Sequence, residues 1–200
     1  MRRMLLVGVL VSSVLAGCSV GPQPREAVAT YDFGIAPAAP AGDALPPSLI
    51  AGEVTAPAWL DTPALVYRLA YRDAAQPLPY ASSRWVAPPA QLLAQRMRSE
   101  LAARQPQSGP AAGKGELVLA VELAHFSHVF DSPTASRALV QAHATLSAAG
   151  RRSVVGRRTF VIEVPAGSHD AHGGAHALAT AGRQLVEQTL EWGAQQARMR

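Results

Sequence analysis

Three successive segments late in the chain alternate apolar and polar residues with a period of two, and any fold must accommodate them. In Glu116 to Phe130, Leu117, Leu119, Val121 and Leu123 point one way, while Val118, Ala120, Glu122, Ala124, Phe126 and Phe130 point the other. In Arg137 to Ser147 the apolar face is Ala138, Val140, Ala142, Ala144 and Leu146; in Val154 to Val164 it is Phe160, Ile162 and Val164. Successive side chains of a strand project to opposite faces, so these runs predict an antiparallel meander covered on one face. Ala149-Gly150-Arg151 supplies the last turn.

Shorter signals precede the meander. Ala29 to Gly34 reads as a first strand with Tyr31 and Phe33 on one face, and Ile35 to Pro47 as an Ala- and Pro-rich loop. Ser48 to Ala56 and Ala64 to Tyr71 read as strands, and Pro77 to Ser83 as a turn with a short strand ending at Trp85. Pro88-Pro89 suits a first helical turn, and Leu92, Leu93, Met97 and Leu101 then recur at helical spacing up to Arg104. Gln105 to Gly115 breaks that helix. A second helix is expected from Gly174 to Arg198, with Leu178, Leu185, Val186, Thr189 and Gly193 along one stripe. The expected fold is α+β: a two-layer sandwich, mostly antiparallel sheet, with two helices packed on one face.

The amino terminus speaks to destination. Arg2 and Arg3 precede an apolar run from Met4 to Ala16 interrupted only by Ser12 and Ser13. That run is short of the ~20 apolar residues that span a bilayer and fits a signal peptide, residues 1–17. Leu15-Ala16-Gly17-Cys18 places small residues directly before a cysteine, as in a lipobox, so Cys18 is the expected lipid-attachment site. Cys18 is the only cysteine, which leaves no intramolecular disulfide and makes the fold depend on its core. Acyl chains contribute ~0.8 kcal/mol per buried CH2, so several chains anchor firmly. Ser19, rather than Asp, stands second in the processed chain, which points to the outer membrane and its periplasmic face. Residues 18–28 read as a lipidated tether and 29–200 as one domain, with no transmembrane helix in the mature chain. The formal charge of +4 includes Arg2 and Arg3, a bias too small to imply nucleic acid.

Sites of chemistry are sparse. There is no Gly-x-Ser-x-Gly elbow, and Gly109 to Gly115 ends in Lys-Gly with no following Ser or Thr. Glu187 and Glu191, four apart, read as a solvated helical pair. Ser168 to His176 gathers His169, Asp170, His172 and His176, residue types that ligate zinc or copper. Because Gly173-Gly174 interrupts them, they read as a solvated loop before the last helix. His125 and His128, three apart on a strand, fall on opposite faces and are poor co-ligands for a metal, and His143 lies on the polar face of the next strand. No metal, cofactor or catalytic residue is expected. Trp59, Trp85 and Trp192 remain; Trp192 reads as packing, and a tryptophan among prolines and turns is either an interface anchor or a core plug.

Two segments and the order of elements resemble a known family. Trp59-Leu60-Asp61-Thr62-Pro63-Ala64-Leu65-Val66-Tyr67-Arg68 is similar to a Leu-Asp-x-Pro-x-apolar-apolar-x-Arg segment, and Ser83-Arg84-Trp85-Val86-Ala87-Pro88-Pro89 to one ending in Trp-x-x-Pro. Both occur in the ABC-type transport auxiliary lipoproteins of the PqiC/YmbA type. Pro89 stands where that family often has Leu, and the family's opening Tyr-Tyr-x-Leu strand is reduced to Tyr31-Asp32-Phe33. The resemblance implies a non-enzymatic subunit of an MCE-type lipid transport system. Its partners would be an MCE-domain periplasmic protein with its ABC transporter, and it would form a homo-oligomer if a ring partner offers repeated surfaces. The candidate docking residues are Trp59, Asp61, Arg68 and Trp85. The alternative is an envelope assembly or stability lipoprotein with another protein partner.

Overall fold

A computed structural model describes residues 27–35, 42–106, 116–150 and 153–199. The expected signal peptide (1–17), Cys18 and most of the expected tether (18–28) lie outside the described residues. Among the described residues the elements run β1 (Ala29–Tyr31), β2 (Leu49–Thr55), β3 (Ala64–Leu69), α1 (Ala70–Asp73), β4 (Ala74–Trp85), α2 (Pro89–Arg104), β5 (Leu117–Ser132), β6 (Ala135–Ala148), β7 (Val154–Pro165) and α3 (Ala171–Arg198).

The seven strands form one sheet in the order β1-β4-β3-β5-β6-β7, with β2 also paired to β5. The meander β5-β6-β7 is antiparallel, as its alternation requires. The first half of the sheet is different: β1 pairs with β4, and β2 and β3 pair with β5, all in parallel. The expected mostly antiparallel, two-helix sandwich is therefore corrected to an α+β domain with a mixed sheet and three helices among the described residues. The physical reason is that alternation fixes which face a side chain takes but not which strand lies beside it. Here α1, β4 and α2 all intervene between β3 and β5, a connection long enough to join parallel neighbours. The third helix, α1, is a single turn that reverses the chain from β3 into β4.

β4 is a full strand where a turn was expected. Pro77 and Pro79 sit in it because β1 pairs only with Ser83 to Trp85, leaving the far side of the earlier residues as an edge where a missing N–H costs no ladder bond. α2 and α3 cover one sheet face. Leu93 and Met97 of α2 and Leu178, Leu185 and Leu190 of α3 pack on Leu119, Leu123, Val140 and Leu146. Ala138, Ala142 and Ala144, all nearly inaccessible, let the long helix sit close to β6. Arginines tie the N-terminal segment to the helices: Arg104 donates to the Asp43 carbonyl at 3.0 and 2.9 Å, Arg183 to that of Phe33 and Arg198 to that of Ala44, each at 2.9 Å.

One bulge resets β5. The pairing with β6 shifts between Leu123 and His125, so the alternation changes phase there. Phe126, expected opposite Leu123, joins it in the core, and His128 follows to the same face.

Candidate docking site

The loop between β2 and β3 carries an exposed tryptophan, Trp59. Pro57 starts a turn in which its carbonyl accepts the amides of Leu60 and Asp61 at 2.8 and 3.1 Å. Leu60, 1% exposed, anchors the turn in the core. Pro63 closes it, accepting the Trp85 amide at 2.8 Å, while Thr62 Oγ1 accepts the Ala64 amide at 3.3 Å. A loop tied at both ends presents Trp59, 40% exposed, with little freedom to lose on binding.

Arg68 and His125 hold the Trp59 ring. Both project from the sheet face opposite the helices, since their neighbours Tyr67 and Phe126 turn inward. The Arg68 guanidinium carbon lies 5.3 Å from the ring centroid, a cation–π distance, and the His125 ring lies at 6.4 Å. Arg68 also donates to the Ala74 carbonyl at 2.9 Å, and its Nε is buried without a partner. Partial burial, and then the charge of Arg68, lower the His125 pKa, so this imidazole stays neutral beside the cation. The site thus offers an aromatic face, one fixed positive charge and a neutral imidazole.

Of the four residues singled out from sequence, Trp59 and Arg68 come together. Asp61 is exposed on the same turn and, among the described residues, forms no ion pair with Arg68. Trp85 is 1% exposed and packs edge-on to Phe33 and Phe126 at 5.8 and 5.6 Å. Burial removes it from any docking surface. His125 was not singled out for this site; it lies far from Trp59 in sequence, and the unmarked bulge at Ala124 decides where it points.

The histidine segment is ordered differently from the expected loop. α3 begins at Ala171, three residues early, because Asp170 caps it: Oδ1 accepts the Gly173 amide at 2.8 Å and the Ser168 hydroxyl at 2.7 Å. Those bonds, the Gly173 amide first, hold the Asp170 carboxyl below its usual pKa. The glycine pair does not break the helix; it permits close packing. A Cβ on Gly173 would overlap Ser168, and one on Gly174 would overlap the His128 ring. His172 and His176 therefore lie one turn apart with rings at 4.4 Å, while His169 Nδ1 pairs with Ser136 Oγ at 2.8 Å. Among the described residues no three His, Cys, Asp or Glu side chains are grouped to hold a metal.

His128 lies beneath this helix start with no exposed surface. Its Nδ1 pairs with Tyr80 Oη at 2.8 Å, and Nε2 has no partner. Burial first, then the positive charge of His169, lower its pKa to about 4, with Asp170 opposing.

Comparison with solved structures gives the same α+β fold on a mixed sheet. It is shared with protein XCC0632 from Xanthomonas campestris (TM-score 0.66, 17% identity, covering 89% of this chain and 92% of that one). A second solved structure, of an uncharacterised protein, matches with TM-score 0.60 and 17% identity over 84% of this chain and 99% of that one. A comparison with curated proteins finds no match. The family model for the ABC-type transport auxiliary lipoprotein component matches residues 31–189. The chain belongs to that family, which makes it an accessory lipoprotein of an ABC-type transport system.

Proposed function

We propose that the protein is a non-enzymatic subunit of an MCE-type lipid transport system, held by lipid on Cys18 at the periplasmic face of the outer membrane. In this reading the domain docks the periplasmic component of the transporter through Trp59, Arg68 and Asp61. The observation that carries it is the exposed Trp59 ring, fixed by a stiff turn and a stacked guanidinium on the open sheet face. Interface anchors have this character: an aromatic surface presented at low entropic cost beside a charge that selects orientation. Anchoring confines the domain near the membrane and raises its effective concentration, so the contact itself is free to be weak and reversible. The family and the Cys18 lipobox support the accessory role and the anchoring.

The test is co-purification of the tagged full-length protein with an MCE-domain protein of the same organism, in native membranes. Recovery of that complex, lost on Trp59→Ala, supports the proposal. Recovery of a cell-wall or secretion complex instead favours the assembly reading.

A further inference from the structure

β2 and β3 follow one another along the same side of β5. β2 pairs with Leu117 to Glu122, and β3 with His128 to Phe130. β4 occupies the far side of β3. Among the described residues β2 has β5 as its only strand partner, so the row that β4 fills beside β3 has no strand beside β2. Among the described residues, a side chain satisfies only the entrance to that row: the Gln105 side-chain amide donates to the carbonyls of Pro46 and Leu49 at 3.0 and 2.7 Å.

The vacant row is a groove of about 420 Å³ between the edge of β2 and the flank of α2. Gly52, Glu53 and Val54 line the strand side, so one carboxylate stands on that wall; Ala87 and Ala94 keep the helix side shallow; Gln91, Gln95 and Arg98 stand along it. Two alanines leave width for a polypeptide backbone on the helix side, and the Gln91 amide can both donate and accept. Arg98 is exposed and, among the described residues, has no carboxylate partner. A strand edge with free N–H and C=O groups is matched best by another extended backbone.

We propose that this groove receives an extended segment of a partner protein, which adds a strand to β2 and sets an acidic side chain against Arg98. Strand addition of this kind takes affinity from main-chain bonds and selectivity from side-chain contacts. The irregularity between Ala51 and Val54 limits the regular ladder to short stretches on either side. It makes the contact reversible and keeps the open edge from pairing indiscriminately. The groove is independent of the Trp59 turn.

The experiment uses the full chain in detergent micelles, with a display library of random dodecapeptides as the probe. Selected peptides should share an Asp or Glu at a fixed position and bind more tightly than about 1 mM. Hydrogen exchange should show new protection of amides within Ile50 to Thr55. Arg98→Glu, a surface change, should weaken acidic peptides about tenfold and switch the selected residue to Lys or Arg. Ala94→Arg should block the groove, with circular dichroism confirming the fold, while Trp59→Ala should leave peptide binding unchanged. The proposal is overturned by three results: no selected peptide in that affinity range, affinities indifferent to Arg98→Glu and Ala94→Arg, or protection confined to β7.

Discussion

Acid should destabilise this domain through His128 before it protonates the carboxylates. The imidazole is fully buried, and its pKa falls from 6.5 to about 4. Above pH 6.5 it is neutral in both native and unfolded chains and contributes no pH dependence. Between 6.5 and 4 the unfolded chain binds a proton that the native state refuses, so stability falls as pH falls. The sign follows from linkage: stability rises with pH wherever the unfolded state holds more protons. At 1.36 kcal/mol per unit, the loss between pH 7 and pH 4.5 is about 2 kcal/mol. Asp170, whose pKa is also lowered, loses its contribution only below the ordinary carboxylate range, which separates the two windows. His125 shifts in the same direction as His128, so the comparison must be with a variant. His128→Gln retains a polar group for Tyr80 and cannot titrate. Urea unfolding of both proteins, followed by tryptophan fluorescence from pH 7.5 to 4.5, should show the parent losing about 2 kcal/mol more than the variant. Parallel curves, or a His128 ring resonance in the folded protein that titrates near 6.5, would refute the reasoning.

Trp85→Ala should cost about 3–5 kcal/mol of unfolding free energy, as expected for a large cavity against Phe33 and Phe126, visible as a lowered urea midpoint. Gly174→Ala should destabilise by about 1–3 kcal/mol despite the higher helix propensity of alanine, since its methyl overlaps His128; a thermal melt at or above the parent's would contradict this. Cys18→Ser should abolish palmitate labelling and leave unprocessed precursor in the inner membrane, and labelling at the parental level would show that the lipid is attached elsewhere.

The meander was legible because Leu117 to Leu123 of β5, Ala138 to Leu146 of β6 and Phe160 to Val164 of β7 each keep one period, and their buried faces follow it. The neighbours of β2 and β3 were not, because a run such as Ala64 to Leu69 specifies a buried face and says nothing of parallel or antiparallel pairing. The bulge before His125 was hidden for a related reason. No glycine or proline marks it, yet it moves Phe126 and His128 into the core and His125 toward Trp59. Gly173-Gly174 misled in the opposite way. Glycines that ordinarily break helices here allow α3 to approach Ser168 and His128, and Ser168 with Asp170 spelled the cap that starts the helix. Of the candidate site, Trp59 and Arg68 could be read from their segment; that Trp85 is a core plug required its aromatic neighbours, which come from distant strands.

Trp59 is proposed as an anchor for a partner and not as part of the core. Binding of the full-length protein in lipid nanodiscs to the purified MCE-domain protein tests it directly, measured by biolayer interferometry beside a thermal melt. Trp59→Ala should weaken binding by about 2 kcal/mol or more with little change in melting temperature, because the residue is 40% exposed. A variant that melts markedly lower yet binds its partner with parental affinity would contradict it.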